Sequence, residues 1–201
     1  LIRRLHLDLI GLPPELQRVA RFVQDHEKDP EGAWHQLVDE VLASDRFGER
    51  WASVWLDLAR YADTKGYEQD GNRNIWPWRD WVIQAFDRDL PFDQFTIEQL
   101  AGDLLPAADG GDINTRGIIA TGFLALGAKA VAQQDKKKML YDVYDEQVEV
   151  VSKSMLGLTV ACARCHDHKF DPILTKDYYS LVGIFASTRS FSDPSSHVSK
   201  L

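Results

Sequence analysis

Residues 135–158 read D-K-K-K-M-L-Y-D-V-Y-D-E-Q-V-E-V-V-S-K-S-M-L-G-L, and this stretch decides the fold class. Leu140, Val143, Tyr144, Val148, Val151 and Met155 recur at three- and four-residue steps, the period that lines one face of an α-helix. The stripe predicts a long helix from Asp135 to Leu158, with Val148, Val151 and Met155 turned to the core or to a bound group beside it. Lys136-Lys137-Lys138 is the only cationic run, and it reads as the solvated start of that helix.

The same period repeats outward in both directions. After Pro13-Pro14, Leu16, Val19, Ala20 and Val23 share a face, and Trp34, Leu37, Val38, Val41 and Leu42 do so next. Trp51, Val54, Trp55, Leu58 and Ala59 form a third stripe, and Trp78, Trp81, Val82, Ala85 and Phe86 a fourth. These aromatic stripes are read as core. Asp93, following Pro91, is the expected N-cap of a short helix through Leu100. Asn114 is the next expected cap, ahead of an apolar segment spaced by Gly117, Gly122 and Gly127, where another backbone or a flat ligand could come close. A last helix follows Thr175, carrying Tyr178, Leu181, Val182 and Phe185. Loops fall at 63–77 and 103–112, and no repeat, heptad seam or strand alternation is found. The expectation is an all-α, single-domain, multi-helix bundle over residues 1–201, excised from a larger multidomain protein.

Composition narrows the function. The net charge of −8 argues against nucleic acid as a main partner, since phosphate binding rests on clustered Lys and Arg. No stretch approaches the ~20 apolar residues of a membrane span. There are two cysteines in 201 residues, and both lie in one motif, which excludes a disulfide-stapled scaffold.

That motif is Cys162-Ala163-Arg164-Cys165-His166, or C-x-x-C-H, the signature of c-type haem attachment. Two thiols three residues apart can reach two vinyl groups on one porphyrin edge and form thioethers, and the adjacent imidazole can ligate the iron as its proximal ligand. Three other readings stand beside it. Cys162, Cys165, His166 and His168 could hold structural zinc, although four ligands within seven residues are cramped. The thiols could act as a redox dithiol, for which the usual βαβ setting is missing. They could also be two ordinary cysteines beside a surface histidine.

Neighbouring residues supply further candidates. His168, with Asp167, Lys169 and Asp171 around it, is either a backbone-bonding residue in a turn before Pro172 or a distal-pocket or catalytic group. Asp57, Arg60, Tyr61, Asp63, Tyr67, Asp70, Arg73, Trp76 and Arg79 mix rings and ions, as a sugar or polyol site would, but a network of Arg–Asp pairs is the simpler reading. His6, His26, His35 and His197 are read as surface or capping residues. His168 is too near His166 to reach the opposite face of the same iron. Met155 is close as well, which leaves Met139 as a weak distal candidate and predicts an open or weakly held sixth position.

The motif continues as C-A-R-C-H-D-H-K-F-D-P-I from Cys162 to Ile173, preceded by L-G-L-T-V-A at 156–161. With R-R-L-H-L-D-L-I-G-L-P-P at 3–14, G-E-R-W-A-S-V-W-L-D-L-A-R-Y-A-D at 48–63, W-R-D-W-V-I at 78–83 and L-P-F-D-Q-F-T-I-E-Q-L-A-G-D-L-L-P at 90–106, the chain resembles a known family along nearly its whole length. The family is the cytochrome-c-like domain of unknown function found in large exported proteins of planctomycetes and related bacteria. The resemblance implies covalent haem c on Cys162, Cys165 and His166, and an exported, periplasmic setting. It also implies partner domains in the same polypeptide, among them a separate cytochrome-c-like domain, and a host that breaks down complex polysaccharides. The function expected is electron transfer or haem-dependent substrate oxidation. The alternative is a binding or scaffold module whose Cys/His cluster holds zinc or braces the fold. An ordinary small cytochrome c carries C-x-x-C-H near its N-terminus and a Met ligand far downstream. Here the motif is near the C-terminus and no Met follows it, so a different fold is expected.

Overall fold

The computed structural model describes residues 1–66, 70–108, 110–128 and 134–188. Among them are nine α-helices and no strand, so the all-α expectation holds; the only β-type pairing is an isolated bridge between Thr64 and Asn72. The helices are α1 (Ile2–Ile10), α2 (Leu16–Lys28), α3 (Pro30–Leu42), α4 (Arg46–Leu58), α5 (Trp76–Asp87), α6 (Phe92–Ala101), α7 (Thr115–Ala120), α8 (Lys136–Val151) and α9 (Thr175–Ser187). None of them is long and apolar enough to cross a membrane.

The chain divides into two compact units, residues 1–55 with 79–95, and residues 56–78 with 96–201. In the first, Ile2, Leu37 and Val41 are buried together, with Leu5, Leu9, Val19, Phe22 and Trp34 packed around them. Asp29 starts α3 by accepting a hydrogen bond from the Gly32 amide (3.0 Å) ahead of Pro30 at the first helical position. A second focus is aromatic: the Phe95 ring lies 4.9 Å from Trp55, 5.3 Å from Trp81 and 5.8 Å from Phe86. Each such pair contributes about 0.5–1.5 kcal/mol beyond its buried area.

The stripes read as core divide by their partners. Trp78, Trp81, Val82 and Ala85 of α5 are buried, as are Trp55 and Ala59 of the α4 stripe, whereas Trp51, Val54 and Leu58 remain exposed. The α2 stripe has no fully buried member, and Leu16 lies in solvent. Asp93 is not an N-cap, because α6 begins one residue earlier, at Phe92; it stands in the first turn, where a carboxylate favours the helix dipole.

In the second unit Asn114 caps α7 as expected, its side chain accepting from the Gly117 amide at 2.9 Å. The glycine spacing also has a structural reason. A Cβ on Gly102 would meet the Gly117 carbonyl at 2.7 Å, and one on Gly117 would clash with the Gly102 carbonyl, so two backbones cross in contact here. Gly122 lies against Trp78, whose Cβ and ring an added Cβ would meet at 3.3 and 3.4 Å.

The long helix differs from expectation. α8 starts at Lys136, with Asp135 accepting from the Lys138 amide (3.0 Å), but it ends at Val151 rather than Leu158. A π turn, Ser152–Leu156, follows and closes on Gly157 at φ 66°. The wider turn rotates the following residues off the helical stripe. Met139, Val143, Gln147, Val148 and Val150 are buried, while Val151 and Met155 are only half-buried. Of the three residues expected to face the core, Val148 does so fully.

Candidate functional site

The residues of the C-x-x-C-H motif occupy the segment between α8 and α9, and all belong to the second unit. A 3₁₀ turn spans Val160–Arg164, with Cys165 as its αR end residue. A 3₁₀ turn carries three residues per turn, so side chains at i and i+3 eclipse, and Cys162 and Cys165 share a face one turn apart. Val160 and Ala163 point inward and are buried, whereas both thiols are free and exposed. The turn, α8 and α9 pack on one another, which seats the motif on two helices.

His166 is exposed, and its Nδ1 lies 2.8 Å from the backbone carbonyl of Asp167. A carbonyl can only accept, so Nδ1 carries the proton and donates, and Nε2 keeps its lone pair. Among the described residues Nε2 has no hydrogen-bond partner. Metal-ligating histidines use the same device, in which a backbone carbonyl fixes the tautomer and ring orientation while the other nitrogen faces the metal.

His168 is used differently. Its side chain is 7% exposed. Nδ1 accepts from the amides of Asp171 (2.9 Å) and Phe170 (3.3 Å), so the proton sits on Nε2, which lies 2.9 Å from Thr159 Oγ1 and donates to it. The Asp171 carboxylate lies beside the ring, 3.2 Å from Nδ1. The His168 backbone amide donates to the Ile173 carbonyl at 2.8 Å. Both ring nitrogens are thus engaged inside one loop, the backbone-bonding role weighed for it. Asp167 reaches forward to accept from the Thr175 amide (2.8 Å) at the start of α9. The loop is thereby tied to the 3₁₀ turn before it and the helix after it.

A network that sequence reading missed holds the turn from below. Asp145 of α8 accepts from Arg164 Nη1 (2.7 Å) with one oxygen and from Tyr178 Oη (2.5 Å) with the other. Burial, then the Asp145 hydrogen bond and charge, push the Tyr178 phenol well above its ordinary range, so it stays protonated and donating. Arg164 lies between the two cysteines, so this network fixes the motif from inside. No local spacing signals it, since Asp145, Arg164 and Tyr178 come from three separate elements.

The remaining candidates are dispersed. Met139 is buried on the inner face of α8. His35 is exposed near Glu31, and His26 leans on Phe22 at 5.5 Å. His6 departs from the surface or capping role expected of it: it is buried in α1, with neither ring nitrogen hydrogen-bonded. Tyr67 and His197 lie outside the described residues. Arg60 pairs with Glu146 (2.6 Å) and Glu149 (3.6 Å) of α8, Arg79 with Asp80 (2.9 Å), and Tyr61 donates to Asp63 (2.5 Å). Arg73 donates to the Ala62 carbonyl at 3.0 Å. The described polar residues of this stretch thus make separate local pairs, with glutamates of α8 as partners for Arg60 where Asp had been expected.

The donor set is one that haem attachment could use. Two exposed thiols on one face and an imidazole with a free Nε2 match two thioethers and one axial ligand. Among the described residues, no three His, Cys, Asp or Glu side chains are gathered to share a metal ion, and His168 is committed to Thr159 and two amides. No curated protein and no solved structure significantly matches the chain. A family described as a protein of unknown function (DUF1549), PSCyt2, matches residues 1–190, and the chain belongs to that family.

Proposed function

We propose that this chain is a c-type haem-binding redox domain of an exported multidomain protein, serving electron transfer or substrate oxidation linked to carbohydrate or polyol breakdown. The observation that carries the reading is the His166 ring, held by the Asp167 carbonyl with Nε2 free, next to two exposed thiols one 3₁₀ turn apart. Cys162 and Cys165 would each add S–H across a vinyl group, and His166 Nε2 would ligate the iron. When bound, the haem supplies one-electron exchange at a potential set by its ligands and burial. The chain's own residues orient the site. Asp145 and Tyr178 hold Arg164, His168 ties the following loop to Thr159, and Asp167 joins that loop to α9. In this reading the iron would keep one ligand position open or weakly held, and Met139 would be the one thioether of α8 that could fill it.

The test is the full chain produced in an exporting host that carries haem-attachment machinery. A Soret band, with a pyridine haemochrome spectrum typical of two thioethers, supports the proposal. A colourless protein carrying stoichiometric zinc would sink it. Rapid carbon monoxide binding is expected of the reduced haem protein. Refusal, with a low-spin six-coordinate spectrum, would contradict the open position.

A further inference from the structure

The first unit contains a cleft of about 480 Å³ that the haem reading does not use. Phe47, Trp51, Phe86, Phe92 and Phe95 supply its aromatic walls, and Asp89 is its only charged lining residue. The volume lies within the roughly 300–1,000 Å³ of ordinary small-molecule sites. Phe47 and Trp51 meet at 6.2 Å and 44°, so their faces are not closed against each other in a stack. Trp51 and Phe92 are exposed despite their apolar rings.

Asp89 is placed there at a conformational cost. α5 ends in a Schellman motif, in which the Asp89 amide donates to the Phe86 carbonyl (3.0 Å) and the Leu90 amide to the Ala85 carbonyl (2.9 Å). The motif requires a left-handed residue at position 89, which glycine fills without steric penalty, yet Asp89 stands there at φ 50°. Its carboxylate makes no hydrogen bond or ion pair among the described residues. The position therefore carries a strained, unpartnered anion at the lip of a ring-lined cleft.

We propose that this cleft binds an organic ammonium ion of the quaternary, alkylated class. The negative faces of the rings attract such a cation, its methyl groups bury against them, and Asp89 supplies the balancing charge. A sugar would bring a hydroxyl on nearly every carbon and find only the Asp89 carboxylate and the Trp51 indole N–H among the lining side chains to meet them. A neutral apolar ligand would use the rings but leave the carboxylate without a role.

Choline and its neutral carbon isostere, 3,3-dimethylbutan-1-ol, separate these cases by calorimetric titration of the full chain. Choline is expected to bind about tenfold more tightly than the isostere, and Asp89→Asn to abolish the difference while the fold persists. Asp89→Gly is expected to raise the melting temperature and lose the same preference, because glycine relieves the left-handed strain. Equal binding of the two probes, binding of neither, or glucose binding in place of choline would each overturn the proposal. So would an Asp89→Gly variant that melts lower than the parent, since Asp89 would then be serving stability.

Discussion

Two histidines two residues apart carry opposite assignments, and each follows from what its Nδ1 meets. A carbonyl faces Nδ1 of His166, which makes that nitrogen a donor and frees Nε2, whereas two amides face Nδ1 of His168 and make it an acceptor. The C-x-x-C-H pattern was legible in the sequence, as the spacing that the proposed haem attachment would need. The proton positions on the two rings were not, because they depend on the Asp167 carbonyl at His166 and, at His168, on loop closure through Thr159 and Ile173. His168→Ala removes a nearly buried ring and leaves two amides and a hydroxyl to find other partners. We expect a loss of about 2–3 kcal/mol, measured by urea denaturation. A variant as stable as the parent would mean that His168 does not brace the loop.

Elements show where periodicity informs and where it ends. The α8 stripe identified the helix and its inner side, but a π turn after Val151 breaks the period that carried the prediction on to Met155. A hydrophobicity pattern cannot reveal the turn, since residues on both sides remain apolar. Within α8 itself the buried face runs Val143, Gln147, Val150, so the buried site is Val150 rather than Val151. Val150→Asp strands a carboxylate among apolar neighbours and should cost on the order of 3 kcal/mol or more, whereas Val151→Asp, half-buried, should cost distinctly less. Thermal melts of the two variants check the ranking, and a reversed order would show that the inner face lies elsewhere. The glycine segment was read more fully, since close approach was anticipated and Gly102 proves to be the approaching backbone. Gly117→Ala drives a Cβ into that carbonyl, and neither chain can move without disturbing the Asn114 cap. The expected loss is at least the ~1–3 kcal/mol of ordinary overpacking, read as a lowered denaturation midpoint.

At the scale of the molecule, composition and stripes gave the helical class but not the division into two units, because residues 56–78 and 79–95 join partners distant in the chain. The same limit hid His6, whose sequence L-H-L-D-L carries no sign of burial. Within the fold its pKa is lowered, first by burial and then by the positive charge of Arg18. Above the ordinary value of 6.5 the residue is neutral folded or unfolded, and its contribution to folding is intact. As the pH falls through 6.5 the unfolded chain takes up the proton first, so that contribution is lost progressively toward the lower folded pKa. A second effect opposes it. The chain carries −8 at pH 7 and a pI near 5.2, so acidification also relieves self-repulsion over the whole surface. The two are separated by His6→Leu, which keeps the site apolar and leaves the surface charge almost unchanged. We expect the parent's melting temperature to fall relative to that variant between about pH 7.5 and 5.5, with a constant gap above pH 7.5. Parallel curves across the whole range would show that His6 does not stay neutral because it is buried.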